Sequence, residues 1–358
     1  MAYWTSHPTQ AELDGARTYC LNLLRRYDSP SFTLQTFIPP SARDTYLSIR
    51  AFNIDTSLIA DATSNPTVGA MRMQFWRDAI TRSLALTPPK EPVAVLLAHA
   101  ASTLATRTNG RSRLSKTWFH RLIAERERNL SNPPFPSLAA LETYAENTYS
   151  MLNYLTLQAL PVASVTADHL ASHIGKATGI ATVLRGLPLL AFPRPPNHHS
   201  NQGGAMPGAL PGGRQGAVLL PLDVMAEAGV KEEEVLRQGA DAPGLRDAVF
   251  AVATRANDHL ITARSMLASL SAGRDVDHEF EHAHEEGHRY SVQQLDAGPE
   301  RGSSDVDKAF GVLVQAVSTS LWLEKLQKLD FDVFNPKLRT TDWRLPWKAY
   351  WAYKRKMI

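Results

Sequence analysis

The most literal chemical motif in this chain is His278-Glu279-Phe280-Glu281-His282. On a helix that spacing sets two imidazoles one turn apart with a glutamate between them, the arrangement by which zinc hydrolases hold a metal and a general base. His288 stands where a third ligand of one such class falls, but Glu285 occupies the place that class keeps for glycine, and Gly287 comes two residues late. The flanks are polar throughout, so no apolar stripe is present to bury the segment. A hydrolytic zinc needs a dry, shaped pocket. The expectation is a solvated, composition-biased loop and no metal site.

A second constellation closes the chain, where Trp343, Trp347, Tyr350, Trp351 and Tyr353 interleave with Arg344, Lys348, Lys354, Arg355 and Lys356. On a helix starting near Pro346, Trp347, Tyr350, Trp351 and Lys354 share one face. Rings beside cations suit a lipid interface, which makes Trp343, Trp347, Trp351, Lys348 and Lys354 candidate membrane contacts. A terminal helix packed on the domain by its aromatics fits the same pattern. Arginines gather between Arg107 and Arg128, as a solvated face or one that meets phosphates or acidic lipid. Cys20 has no base or metal partner in sequence and reads as a small buried hydrophobe. There is no phosphate-cradling glycine loop and no nucleophile elbow.

The elements that must position these groups read as helices. With 358 residues and a formal charge of +3, the chain has length for a full core and no global polyelectrolyte character, so nucleic acid is not an expected partner. No apolar run approaches the roughly 20 residues that cross a bilayer. A single cysteine excludes an intramolecular disulfide and fits a reducing compartment. Glu12 and Asp14 lie near the start without an apolar core, so neither a secretory signal nor an acid-free transit peptide is visible. Helical spacing predicts elements over 10–26, 41–61, 66–86, 92–107, 115–130, 138–160, 222–238 and 243–270, with another from about Phe310. In the third, Met71, Phe75, Ala79 and Ile80 make the expected core stripe. His173 to Leu190 forms a helix of small residues, Gly175, Ala177, Gly179 and Ala181, open to close approach by a helix or ligand, which Pro188 should end near Arg185 to Leu187. Residues 192–216 and 272–307 are Pro/Gly-rich or polar inserts, expected to be disordered at the surface. Nothing alternates like a strand. The fold class is all-α, in one domain.

The order of four stretches resembles the squalene/phytoene synthase family: LQTFIPPSARDTYLSIRAFNID with Asp61, MRMQFWRDAI, HIGKATGIATVLRG and GAVLLPLDVMAEAGV. More narrowly, RAFNID, YAENTYSMLNYLTLQAL, LLPLDV and LDFDVFNP look like the branch that holds mitochondrial complex I assembly factors. The resemblance implies an isoprenoid-synthase-like helical bundle with its core about 17–329. The family's enzymes condense allylic diphosphates. They hold magnesium between two acidic clusters on facing helices, because hard cations take oxygen ligands and neutralise the leaving group.

If the family's tyrosine and arginine before the first cluster are matched to Tyr46 and Arg50, its acids fall on Asn53, Ile54 and Ser57. Asp55 is two residues from both Asn53 and Ser57 and so about 200° around the helix. Asp61, one turn beyond Ser57, is the carboxylate placed to reach a cavity. The second cluster aligns with Gly186, Leu187, Pro188, Leu189 and Leu190, and the upstream amides with Gly179 and Thr182; Arg185 alone matches. Leucine has no lone pairs to offer a cation, so the expectation is a non-catalytic scaffold without cofactor. The resemblance implies complex I subunits or assembly intermediates as partners, peripheral contact with lipid, and the matrix face of the mitochondrial inner membrane. Two alternatives stand beside it. One is prenyl transfer with magnesium on Asp55, Asp61, Glu146 and Asp223. The other is an isoprenoid- or lipid-binding protein.

Overall fold

The computed structural model describes residues 8–63, 65–160, 162–193, 216–274, 279–285, 288 and 299–358. Among them the regular elements are all helical. Of the first five helices, α1 (Gln10–Tyr27), α3 (Pro40–Ala62), α4 (Pro66–Leu84) and α5 (Pro92–Arg107) match the spacing signals closely, whereas α2 (Ser29–Leu34), capped by Asp28, forms where no helix was expected. Their starts have local causes. Thr9 and Glu12 form a reciprocal capping box on α1, and the Glu91 carboxylate accepts from the first amides of α5 at 3.0 and 2.6 Å, satisfying donors no helix can pair internally.

Next come α6 (Lys116–Arg128), α7 (Leu138–Ala145), a π-helical turn (Glu146–Ser150), α8 (Met151–Ala159) and α9 (Val165–Ala191), followed by α10 (Leu222–Glu227) and α11 (Glu232–Gln238), which divide the single helix expected over 222–238. Around α9 pack α7, the π turn, α8, α12 (Leu245–Ser271), α13 (Pro299–Leu313) and α14 (Ala316–Lys328). The expected small-residue helix is the C-terminal two-thirds of α9, and its glycines serve packing. A methyl placed on Gly175 would meet Ser150 Cα at 2.5 Å, and one on Gly179 would meet Ala145 Cβ at 2.5 Å. The π turn therefore sits directly against bare backbone.

Three expectations are corrected. Pro188 does not end α9, which runs through it to Ala191. The proline sits in the final turn, where it forfeits one backbone bond, while Leu187, Pro188 and Ala191 are buried and the Leu190 carbonyl accepts from Ala217 N–H at 3.0 Å. On α4 the buried face is Gly69, Met73, Trp76, Ala79, Ile80 and Ser83; it keeps Ala79 and Ile80 of the expected stripe and leaves Phe75 at its edge and Met71 exposed. The insert at 272–307 is not polar surface throughout. Phe280 and His288 are buried, and α13 begins at Pro299. Residues 194–215 of the first insert and 275–278, 286–287 and 289–298 of the second lie outside the described residues, and with them most of the expected disorder.

Buried side chains from nearly every helix form one apolar core. A small separate cluster, Leu34, Val314, Val317, Leu321, Leu345 and Ala349, seats the last helix, α15 (Leu345–Arg355), on α2 and α14. No helix among the described residues is long and apolar enough to cross a membrane.

Candidate functional site

Helices α3 and α9 bring the two expected acid-cluster positions to one cavity of about 770 Å³. Ser57, Ala60 and Asp61 line it from α3, and Thr182, Gly186, Pro188, Leu189 and Leu190 from α9. Both segments thus meet at one cavity. Not every named position faces the cavity, however. Ile54 and Leu187 are buried in the core, and Gly179 packs on Ala145. Asn53 lies deeper, where its side-chain oxygen accepts from Arg126 at 3.0 Å. Arg126, from α6, lines the cavity, hydrogen-bonds Tyr144 and lies 5.4 Å from that ring's centroid. No charge or motif signal in the sequence singled it out from the other arginines of 107–128. That stretch is not one basic face either: Arg121 pairs with Glu285, Arg126 turns into the cavity, and Arg107 hydrogen-bonds the Ala159 carbonyl.

The four carboxylates of the prenyl-transfer alternative are scattered. Asp61 lines the cavity mouth. Asp55 faces away from it, toward Glu91, and burial first and then Glu91 push its carboxyl up to about 7. Glu146 accepts from Tyr154 at 2.6 Å and Ser172 at 2.8 Å. Asp223 caps the first amide of α7 at 3.0 Å. Among the described residues, no three His, Cys, Asp or Glu side chains are placed to hold a metal. Cys20 is fully buried, and burial pushes its thiol up, as for an inert core residue.

The histidine motif has a different setting from the one its composition suggests. Glu279 to His282 are turn and extended backbone, not helix, so the one-turn spacing of imidazoles does not apply; His278 lies outside the described residues. The segment closes a second, polar cavity of about 690 Å³ with Glu142, Glu146, His173 and His259. Its shape was hidden in sequence because single side chains, Phe280 and His288, anchor it. His288 packs on Trp118, Tyr154 and Phe280 at 5.0, 4.7 and 5.2 Å, and its Nδ1 lies 3.3 Å from Asp168. His259 links Glu142 at 2.7 Å to His173 at 3.0 Å. Burial raises the Glu142 carboxyl, but hydrogen bonds from His259 and Arg255 outweigh it and hold the group below the usual range. This is a polar network whose members largely satisfy one another.

The sequence profile of squalene/phytoene synthases matches residues 24–351. The chain belongs to the squalene/phytoene synthase family. Within that family it is 36% identical over 332 residues to the rat (Rattus norvegicus) protein "NADH dehydrogenase (ubiquinone) complex I, assembly factor 6", covering 93% of this chain and 80% of that one. The mouse (Mus musculus) protein of the same name is 35% identical over 338 residues, 94% and 82% of the two chains. A crystal structure of a ligand-bound dehydrosqualene synthase shares the squalene/phytoene synthase fold with a TM-score of 0.64 at 12% identity, covering 96% of this chain and 99% of that one.

Proposed function

We propose that this chain is an assembly factor for respiratory complex I that works by contact and not by turnover. The relatives that bear that name align with it over more than nine-tenths of its length at 35–36% identity. On this reading its partners are complex I subunits or assembly intermediates, and it acts at the matrix face of the mitochondrial inner membrane. The feature that supports the non-catalytic part is the α9 wall of the cavity, lined by Gly186, Pro188, Leu189 and Leu190, which the family resemblance aligns with the second magnesium-binding cluster. An unneutralised diphosphate there would meet apolar side chains and pay a large desolvation cost.

Deleting the gene in the source cell and measuring complex I activity in a native gel tests the pathway. The expected outcome is loss of the assembled, active band and its return on re-expression; unchanged activity would overturn the assignment. Purified protein given farnesyl or geranylgeranyl diphosphate with magnesium should release no pyrophosphate above a denatured control, and steady release would restore prenyl transfer. The cavity's volume lies within the range of small-molecule sites, which favours a lipid-holding form of the same factor. Native mass spectrometry reads this as a co-purifying mass.

A further inference from the structure

The distribution of tryptophan over the described fold is uneven. Trp76, Trp118 and Trp322 are 6%, 2% and 7% exposed. Trp343, Trp347 and Trp351 are 78%, 66% and 55% exposed; Trp4 lies outside the described residues. Large rings bury 150–250 Å² each in a core, so three of them left in water along one short segment are a cost that folding alone does not explain. Packing on the domain accounts for one face of this helix and not for its tryptophans. α15 is held to the domain through Leu345 and Ala349, with Ala352 and Tyr353 beside them. Trp347 and Trp351 are each two residues from Ala349, about 200° around the helix, and so stand on the opposite side. The helix is apolar on two faces, and only one has a partner among the described residues.

The charge around that outer face is mainly positive; among the described residues, Glu324 is the one side-chain carboxylate lining the groove there. Residues 336–358 hold seven Lys or Arg against the single carboxylate of Asp342, a formal +6 in a chain whose total is +3, so the remaining residues sum to −3. Some of these cations are engaged: Arg344 pairs with Asp342 and Lys348 with Glu324. Lys354 and Arg355 are exposed beside the rings, Arg355 lying 5.3 Å from the Trp351 centroid. Trp343, Trp347 and Trp351 line a shallow groove of about 560 Å³ with Lys348, Arg355 and Met357.

We infer that α15 docks this protein on an anionic lipid surface, with Trp343, Trp347 and Trp351 seated at the headgroup level and Lys354 and Arg355 against lipid phosphates. Rings with a polar edge settle at that depth, and basic residues near an anionic leaflet add attraction that salt weakens. Charge complementarity selects the occupant: a protein groove for three indoles needs no excess of six positive charges, whereas a phosphate-bearing bilayer does. The inference stands on the exposed face alone, independently of the assembly-factor reading.

The test is co-sedimentation of the full chain with vesicles of phosphatidylcholine, with and without phosphatidylglycerol. Wild type is expected to bind the anionic vesicles, to bind neutral ones weakly, and to be released by salt. Trp347→Ala/Trp351→Ala should lose most binding while keeping the wild-type unfolding midpoint, because these rings fill no core space. Lys354→Glu/Arg355→Glu, which leaves the aromatic face intact, should weaken binding on the order of 30-fold or more, taking roughly a factor of five for each basic residue removed. Failure of wild type to bind anionic vesicles, or equal binding by wild type and both variants, would overturn the inference. Vesicle-independent capture of a purified complex I subunit, abolished by the tryptophan substitutions, would assign the face to protein instead.

Discussion

The same substitution at two glycines of α9 should shift stability in opposite directions. At Gly175 a new Cβ would sit 2.5 Å from Ser150 Cα and 2.6 Å from Ser150 N. Carbon atoms rest at about 3.5–4.0 Å, so the π turn would have to move by about 1 Å. It has little room to do so, since Ser150 is buried and its hydroxyl donates to the Ser172 carbonyl at 3.1 Å. Overpacking of this kind costs about 1–3 kcal/mol when side chains can adjust, and more when backbone must. Against that stands the roughly 1 kcal/mol by which alanine outdoes glycine in a helix. Gly175→Ala is therefore expected to destabilise by about 2 kcal/mol or more. At Gly186 a Cβ would have nothing within 4 Å, so Gly186→Ala keeps only the helical gain, about 0.5–1 kcal/mol of stabilisation. Urea unfolding of wild type and the two variants, followed by far-UV circular dichroism, measures the gap directly. If Gly175→Ala proved as stable as Gly186→Ala, the close seating of the π turn on α9 would be wrong.

Two further substitutions probe the α3 carboxyl and amide. Because the folded-state value of Asp55 is raised from 3.8 to about 7, the native protein holds that proton longer than the unfolded chain, and stability falls as pH rises between the two values. Asp55→Asn should leave stability nearly unchanged below about pH 4 and raise it above about pH 7. The gain should be on the order of 1–2 kcal/mol once the roughly four implied by three units is discounted for partial exposure; denaturant melts at both ends of that range show it, and a variant less stable at alkaline pH would refute it. Asn53→Asp places a carboxylate at a position aligned with the first cluster, yet Arg126 already lies 3.0 Å away, so the new charge should form a buried ion pair whose attraction is largely offset by desolvation, leaving stability little changed. Magnesium titration by calorimetry should then give no heat of binding.

Much of this fold was legible from periodicity. The stripe Val249, Val252, Ala256, Leu260, Ala263 and Leu267 is buried along α12 as its spacing required, and Tyr144, Thr148, Met151, Leu155 and Ala159 are buried along α7 to α8. Periodicity failed where burial depends on one residue at a time. Phe280 and His288 fold a polar segment over the second cavity, and no stripe announces them. It failed on α4 because Met71 and Met73 are both apolar and only the packing partners choose between them. The π turn was not legible either. Its cause lies across the helix interface, at Gly175 and Gly179. At the cavity, the resemblance could say which residue types align with the family's acids, but not that Asn53 accepts from an arginine of α6.

That hydrogen bond explains how the scaffold tolerates the positions it carries. In a diphosphate site, buried guanidiniums and carboxylate-bound cations balance the charge of the substrate. With few carboxylates left, each remaining guanidinium needs neutral acceptors or it carries the full desolvation cost of a lone charge. Arg50 is 2% exposed. Its hydrogen-bond partners among the described residues are the amide oxygens of Asn153, at 3.4 Å, and Gln315, with the Tyr46 ring centroid at 5.5 Å. Arg126 meets Asn53 and Tyr144 in the same way. Amide and phenol oxygens accept from both guanidiniums, and none of these partners carries a negative charge. Of the two guanidiniums, Arg126 lines the cavity, and its acceptors come from α3 and α7, so the burial of that charge is compensated within the protein by neutral oxygens.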